Sequence, residues 1–235
     1  MAIIKQIPVI RPIPHGANPD DYVAVNTEKG ILYRRKRKKG SVLNTVCKLN
    51  QQKLEIASAE SRKIRLALYA IIEKKLRRTL HYRINSALMK SLKHDSMVNL
   101  KWLNHFKLMD EPIKSQTKRL QIVYHVRIVD DSFILKFPYL PQKEDLFKLN
   151  KYLDSLKYTV LLIQFISDKD TYEVVAETSN TFNLDEEFNG WNFTQPLLHS
   201  ANYLLCLKVE GMHKQFIINE DKTKFIEIAL AGHKS

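Results

Sequence analysis

The 235-residue chain is poor in several things, and each shortage removes a class of function. Its two cysteines, Cys47 and Cys206, lie far apart with no CxxC spacing, which argues against a disulfide framework or a structural zinc site and suits a reducing compartment. Six scattered glycines assemble neither a glycine-rich phosphate loop nor a nucleophile elbow. Eight histidines are dispersed without an HExxH pattern, and His81, His94 and His105 have no acid or cysteine cluster beside them. No metal, no other cofactor and no enzymatic activity is expected. The longest apolar run, residues 160–163 with Phe165 and Ile166 beyond Gln164, falls far short of the roughly 20 residues that a membrane-spanning helix needs. Pro8, Pro12 and Pro14 interrupt the first residues before a signal-like stretch develops, so a soluble, cytoplasmic protein without a membrane partner is expected.

Acid is scarce in one half only. Residues 1–119 hold 26 Lys/Arg against 9 Asp/Glu, a net of +17, whereas residues 120–235 hold 12 against 16, a net of −4, within an overall +13. A half this basic repels itself when compact, which points to a polyanion or an acidic partner. Two clusters carry the excess. The run Arg34, Arg35, Lys36, Arg37, Lys38 and Lys39 places six cations in a row between Gly30 and Gly40, as a phosphate-contacting hairpin tip or arm would, with Tyr33 beside it able to stack on a base. Such runs also suit nuclear import, anionic lipid or a solvated loop. The second cluster includes Arg62, Lys63, Lys74, Lys75, Arg77 and Arg78, with too few acids nearby for intrahelical pairing. Its alternative is a helix neutralised by the acidic second half, through residues such as Asp168, Asp170, Glu173, Asp185, Glu186 and Glu187.

Neither glycine nor proline occurs between Gly40 and Pro112, and the apolar spacing there is helical. Ile64, Leu68, Ile71 and Ile72 form one stripe, and Leu80, Ile84, Ala87 and Leu88 a second. On a straight helix the two would lie about 180° apart, so a break is expected within residues 74–79, with Thr79 a possible cap. A third helix is expected from Asp95 through Leu100, Trp102, Leu103, Phe106 and Met109, ending before Pro112.

From Leu120 the rhythm becomes two-residue, through Ile122, Tyr124, Val126 and Ile128. Further strands are expected at 133–137, 158–167, 172–177, 203–209, 215–219 and 225–230. Turns are expected at 168–170 and at Glu210-Gly211, and Asn189-Gly190 is a hairpin signal. Leu146, Leu149, Leu153 and Leu156 keep helical spacing and mark one inserted helix. Trp102 and Trp191 are expected in cores, and Asp168, Asp170 and Glu173 in a turn instead of a calcium loop.

The expected fold is therefore α+β: an extended Pro-rich lead at 1–26, a basic helical region at 27–119, and an antiparallel β-sandwich of about seven strands with one short inserted helix at 120–235. The segments GILYRRKRKKGSVLN and SAESRKIRLAL, followed by a β-rich second half, resemble a group of uncharacterised proteins from Bacteroidetes. That resemblance implies a bacterial setting, which weakens the nuclear-import reading, and brings no activity or site residues with it. The function expected is a non-enzymatic binding protein whose basic helical half contacts nucleic acid or a ribonucleoprotein through phosphates. The alternative is an assembly subunit whose basic half docks on an acidic surface of another copy or protein.

Overall fold

A computed structural model describes residues 9–36, 45–109, 119–197 and 201–233. The chain divides into two units, Met1–Leu49 and Asn50–Ser235.

In the first unit, strands β1 (Val9–Arg11), β2 (Tyr22–Thr27) and β3 (Gly30–Arg35) form one small sheet in the order β1-β3-β2. Thr27 pairs with Gly30 across the two-residue link Glu28-Lys29, and the Thr27 hydroxyl donates to the Gly30 carbonyl at 2.7 Å. Gly30 sits at φ 140°, where a side chain would strain the turn. A short 3-10 turn, Pro19–Asp21, leads into β2 and is capped by the Asn18 side chain, which accepts from the Asp20 amide at 3.0 Å. β1 then lies parallel against β3. Among the described residues of this unit Gly30 alone is buried, so the sheet has no hydrophobic core of its own.

The second unit is built on an antiparallel sheet covered on both faces. β4 (Phe106–Lys107), β12 (Lys224–His233), β10 (Asn202–His213), β7 (Ser155–Ile166) and β8 (Thr171–Asn183) follow in that order, and β11 (Phe216–Ile217) pairs with β10. On one face, α1 (Thr45–Leu68) and α2 (Arg77–His94) bring Ile64, Leu68, Leu80, Ile84 and Leu88 against Leu161, Ile163, Leu204, Cys206, Ile226 and Ile228. On the other, β5 (His125–Val129), β6 (Ser132–Phe137) and β9 (Trp191–Pro196) form a three-stranded sheet in the order β5-β6-β9. That sheet and α3 (Lys143–Leu149) pack Phe133, Leu135, Phe137, Leu146, Leu149 and Phe193 on Leu156, Tyr158, Val160, Leu205 and Leu207. Because β7 and β10 are sandwiched, both alternating sets of their side chains are apolar, and each buried leucine contributes roughly 1.5–3 kcal/mol.

The α+β class expected from sequence holds, but the arrangement is not a single seven-stranded sandwich preceded by helices. A sheet comes first in the described chain, and the helices cover one face of the large sheet. The expected helix break is present but earlier: α1 ends at Leu68, a turn and a short 3-10 segment (Lys74–Leu76) follow, and α2 begins at Arg77, so Thr79 lies inside it. Breaking there lets both apolar stripes reach one core, which a straight helix would forbid. No α-helix forms over the described residues 95–109. Asn99 caps only a 3-10 turn, Leu100–Leu103, while the Asp95 carboxylate accepts from Asn99 Nδ2 at 2.9 Å and Trp102 Nε1 at 3.1 Å. Trp102 is 38% exposed and stacks on His94 instead of filling a core.

The strand expected from Leu120 begins at His125. Glu210-Gly211 is not a turn but part of β10, where a Cβ on Gly211 would come within 2.7 Å of Leu153 Cδ1. Asn189-Gly190 makes no hairpin, because β8 pairs with β7 and β9 with β6.

Candidate nucleic-acid interface

Of the six helical cations expected to meet phosphate, three, Lys63, Lys75 and Arg77, are occupied within their own unit. Lys63 Nζ lies 2.5 Å from Asp170 Oδ1, and Lys75 Nζ lies 2.5 Å from Asp221 Oδ1 and 3.3 Å from Glu73 Oε2. Glu73 also accepts from Lys224, whose side chain is only 3% exposed. The Lys224 hydrogen bond, reinforced by Lys75, holds the Glu73 carboxyl below its usual range, while the bond to Asp221 raises Lys75. Arg77 donates to the Tyr69 carbonyl at 3.0 Å and lies 4.4 Å from the centre of the Tyr69 ring. Arg62 and Lys74 are exposed and make no ion pair among the described residues. The Arg78 side chain lies outside the described residues. Of these acids Asp170 and Asp221 come from the second half, whereas Glu73 lies in the helical half itself.

The first unit distributes its charge differently. Where β1 and β3 end, Arg11, Arg34 and Arg35 line one groove of about 390 Å³ together with Tyr22 and Tyr33; Pro12, Pro14 and Leu32 complete the lining. Pairing accounts for part of it: Tyr22 lies directly opposite Arg35, and Ala24 opposite Tyr33, so both rings and one guanidinium share a face of the sheet, while Arg34, opposite Val23, alternates to the other. The parallel pairing of β1 with β3 adds Arg11 from the far side of a long sequence gap. Among the described residues one carboxylate approaches, Asp21 Oδ2 at 3.9 Å from Arg35 Nη2, with side chains 55% and 67% exposed, a pair worth about 0–1 kcal/mol. Lys36 continues the chain, its amide donating to the Asp21 carbonyl, and is exposed. Arg37, Lys38 and Lys39 lie outside the described residues. The basic residues are at the open end of the β2–β3 ribbon, opposite the turn at Glu28-Lys29, so Arg34 and Arg35 do not form a hairpin tip.

Two members of this site, Arg11 and Tyr22, were not legible as site residues from sequence. The alternation in VAVN and ILY on either side of Glu28-Lys29-Gly30 is a short hairpin signal that places Tyr22 opposite Arg35. Nothing local announces the pairing that brings in Arg11.

Elsewhere, Tyr124 donates to Glu227 Oε1 at 2.6 Å, and His105 Nδ1 lies 3.2 Å from the same oxygen. Burial, with the Glu227 bond, pushes the Tyr124 phenol far above its usual range, so it stays neutral. Asp170 closes a turn in the left-handed conformation, and Lys169 pairs with Glu173 at 2.9 Å. Among the described residues no group of three or more His, Cys, Asp or Glu is placed to hold a metal ion, and no helix is long and apolar enough to cross a membrane.

No family model matches the chain, and no curated protein matches it. Among solved structures, the α chain of the chicken interferon gamma receptor aligns at 16% identity with a TM-score of 0.25, over 40% of this chain and 44% of the receptor chain. A likeness that small carries neither fold nor function.

Proposed function

We propose that the chain is a non-enzymatic, cytoplasmic binding protein that holds nucleic acid or a ribonucleoprotein through phosphates, and that the first unit makes the contact. The observation that carries this reading is the meeting of Arg11, Arg34 and Arg35 with Tyr22 and Tyr33 in one groove, where a single carboxylate among the described residues pairs weakly. Cations without partners release counterions when phosphate arrives, whereas cations already tied to carboxylates must first break those bonds. On that ground Lys63 and Lys75 drop out of the contact surface, as does Arg77, which is held by the Tyr69 carbonyl; Arg62 and Lys74 remain accessory, Lys36 adds an exposed cation next to Arg35, and Arg37, Lys38 and Lys39 follow it in the sequence.

The assembly reading has less support, because Asp170, Asp185 and Asp221 already pair with Lys63, Lys143 and Lys75 of the same unit. Sizing after nuclease treatment separates the two. A nuclease-treated protein that is monomeric and regains mass with added oligonucleotide supports the proposal; a salt-resistant oligomer with no affinity for oligonucleotide supports assembly and overturns it.

A further inference from the structure

We infer that the groove of the first unit takes single-stranded nucleic acid in preference to duplex, an inference that rests on the polyanion reading above. Its volume of about 390 Å³ sits near the lower end of ligand sites of roughly 300–1,000 Å³ and suits one splayed nucleotide, not the side of a double helix. All three cations lining it are arginines, although lysines are frequent in the run that follows. A guanidinium offers a planar fork to phosphate oxygens and a flat face to a base, and an ammonium offers neither.

Tyr22 and Tyr33 occupy diagonal positions on one face of the sheet, both half-buried, with Arg35 beside Tyr22. Ring faces gain from bases only when those bases are unstacked. In a duplex each base is covered by its neighbours, whereas a single strand can lay a base on a phenol ring. A β-ribbon that reads duplex lies in the major groove; here the turn of the β2–β3 ribbon carries Glu28 and Lys29, of no net charge, and the arginines gather at the other end. Backbone phosphates held by arginine forks and bases held by ring faces give binding without sequence readout.

The test uses the full chain with a labelled 12-nucleotide oligothymidylate, a 12-base-pair duplex, and heparin as a polyanion without bases. Oligothymidylate should bind at least about tenfold tighter than duplex at equal salt. Tyr33→Leu should weaken it about 5- to 150-fold, the range for one lost stacking contact, and Tyr33→Phe should keep it within about twofold. The readout is the ratio of oligothymidylate to heparin affinity, which a general loss of fold does not shift; Tyr22→Leu is read in the same way. Duplex binding as tight as single strand, or an unchanged ratio in both leucine variants, overturns the single-strand inference while leaving the polyanion reading standing. Failure to bind any of the three probes removes that reading as well.

Discussion

In the first unit Arg11, Arg34 and Arg35 share a groove with one loosely held carboxylate, whereas in the second Lys63, Lys75 and Lys224 each end on a carboxylate of the same unit. Packing differs in the same sense. The first unit buries no side chain among its described residues, while the second buries leucines, isoleucines and aromatics on both faces of its large sheet. A three-stranded sheet that buries no apolar side chain is marginal by itself. Lys and Arg counts along a sequence thus measure charge, and the distribution of acids in three dimensions decides which of that charge is available.

The largest effect that sharpens this contrast is expected in the core of the second unit. Leu207→Ala empties space at a fully buried position between β10 and the layer of β6 and α3, and should cost about 2–5 kcal/mol in denaturant unfolding without weakening oligonucleotide binding measured well below the transition. The mirror experiment is the triple substitution of Arg11, Arg34 and Arg35 by alanine. With each charged hydrogen bond worth about 1–3 kcal/mol, oligothymidylate affinity should fall at least about 100-fold, while the unfolding midpoint of the second unit stays fixed. Equal losses from Arg62→Ala with Lys74→Ala would break the contrast.

Smaller effects test the compensated charges. Glu73→Gln leaves the nearly buried Lys224 ammonium with Asn219 as its remaining neutral acceptor and should cost about 1–3 kcal/mol in unfolding free energy. The Glu73 carboxyl is held below its ordinary value of 4.5, so its contribution is complete above that pH and is lost as pH falls through the lowered value. Lys75 is raised above 10.5, so its share is complete below that pH and is lost as pH rises through the raised value. The acid-side loss of stability should therefore shrink in Glu73→Gln, as read from unfolding midpoints between about pH 5 and pH 3. The smallest and most local signal is hydrogen exchange: amides of β2 and β3 should exchange far faster than those of β7 and β10, and slow when oligothymidylate is added.

Much of the second unit could be read from sequence because its patterns are local. The stripes Ile64–Leu68 and Leu80–Ile84–Leu88 mark helix faces, and the strands 155–166 and 202–213 stand out through continuous apolar runs. What was not legible depended on distant pieces of chain. Gly211 looks like a turn residue until Leu153 and Thr223 press on it, and Phe106 looks helical until β12 offers it a strand partner. The basic clusters were visible, but which of their cations remain open depends on Asp170 and Asp221, more than a hundred residues away from Lys63 and Lys75.

The most direct measurement is the slope of log affinity against log salt for oligothymidylate, compared between the unaltered chain, the Arg11, Arg34 and Arg35 triple variant, and the Arg62 and Lys74 double variant. For single strands the slope is about −0.7 per phosphate contact, so the triple variant should lose about 2 from its magnitude and the double variant much less. A slope that ignores the triple variant and falls with the double variant would place the contact on the helices and contradict the account.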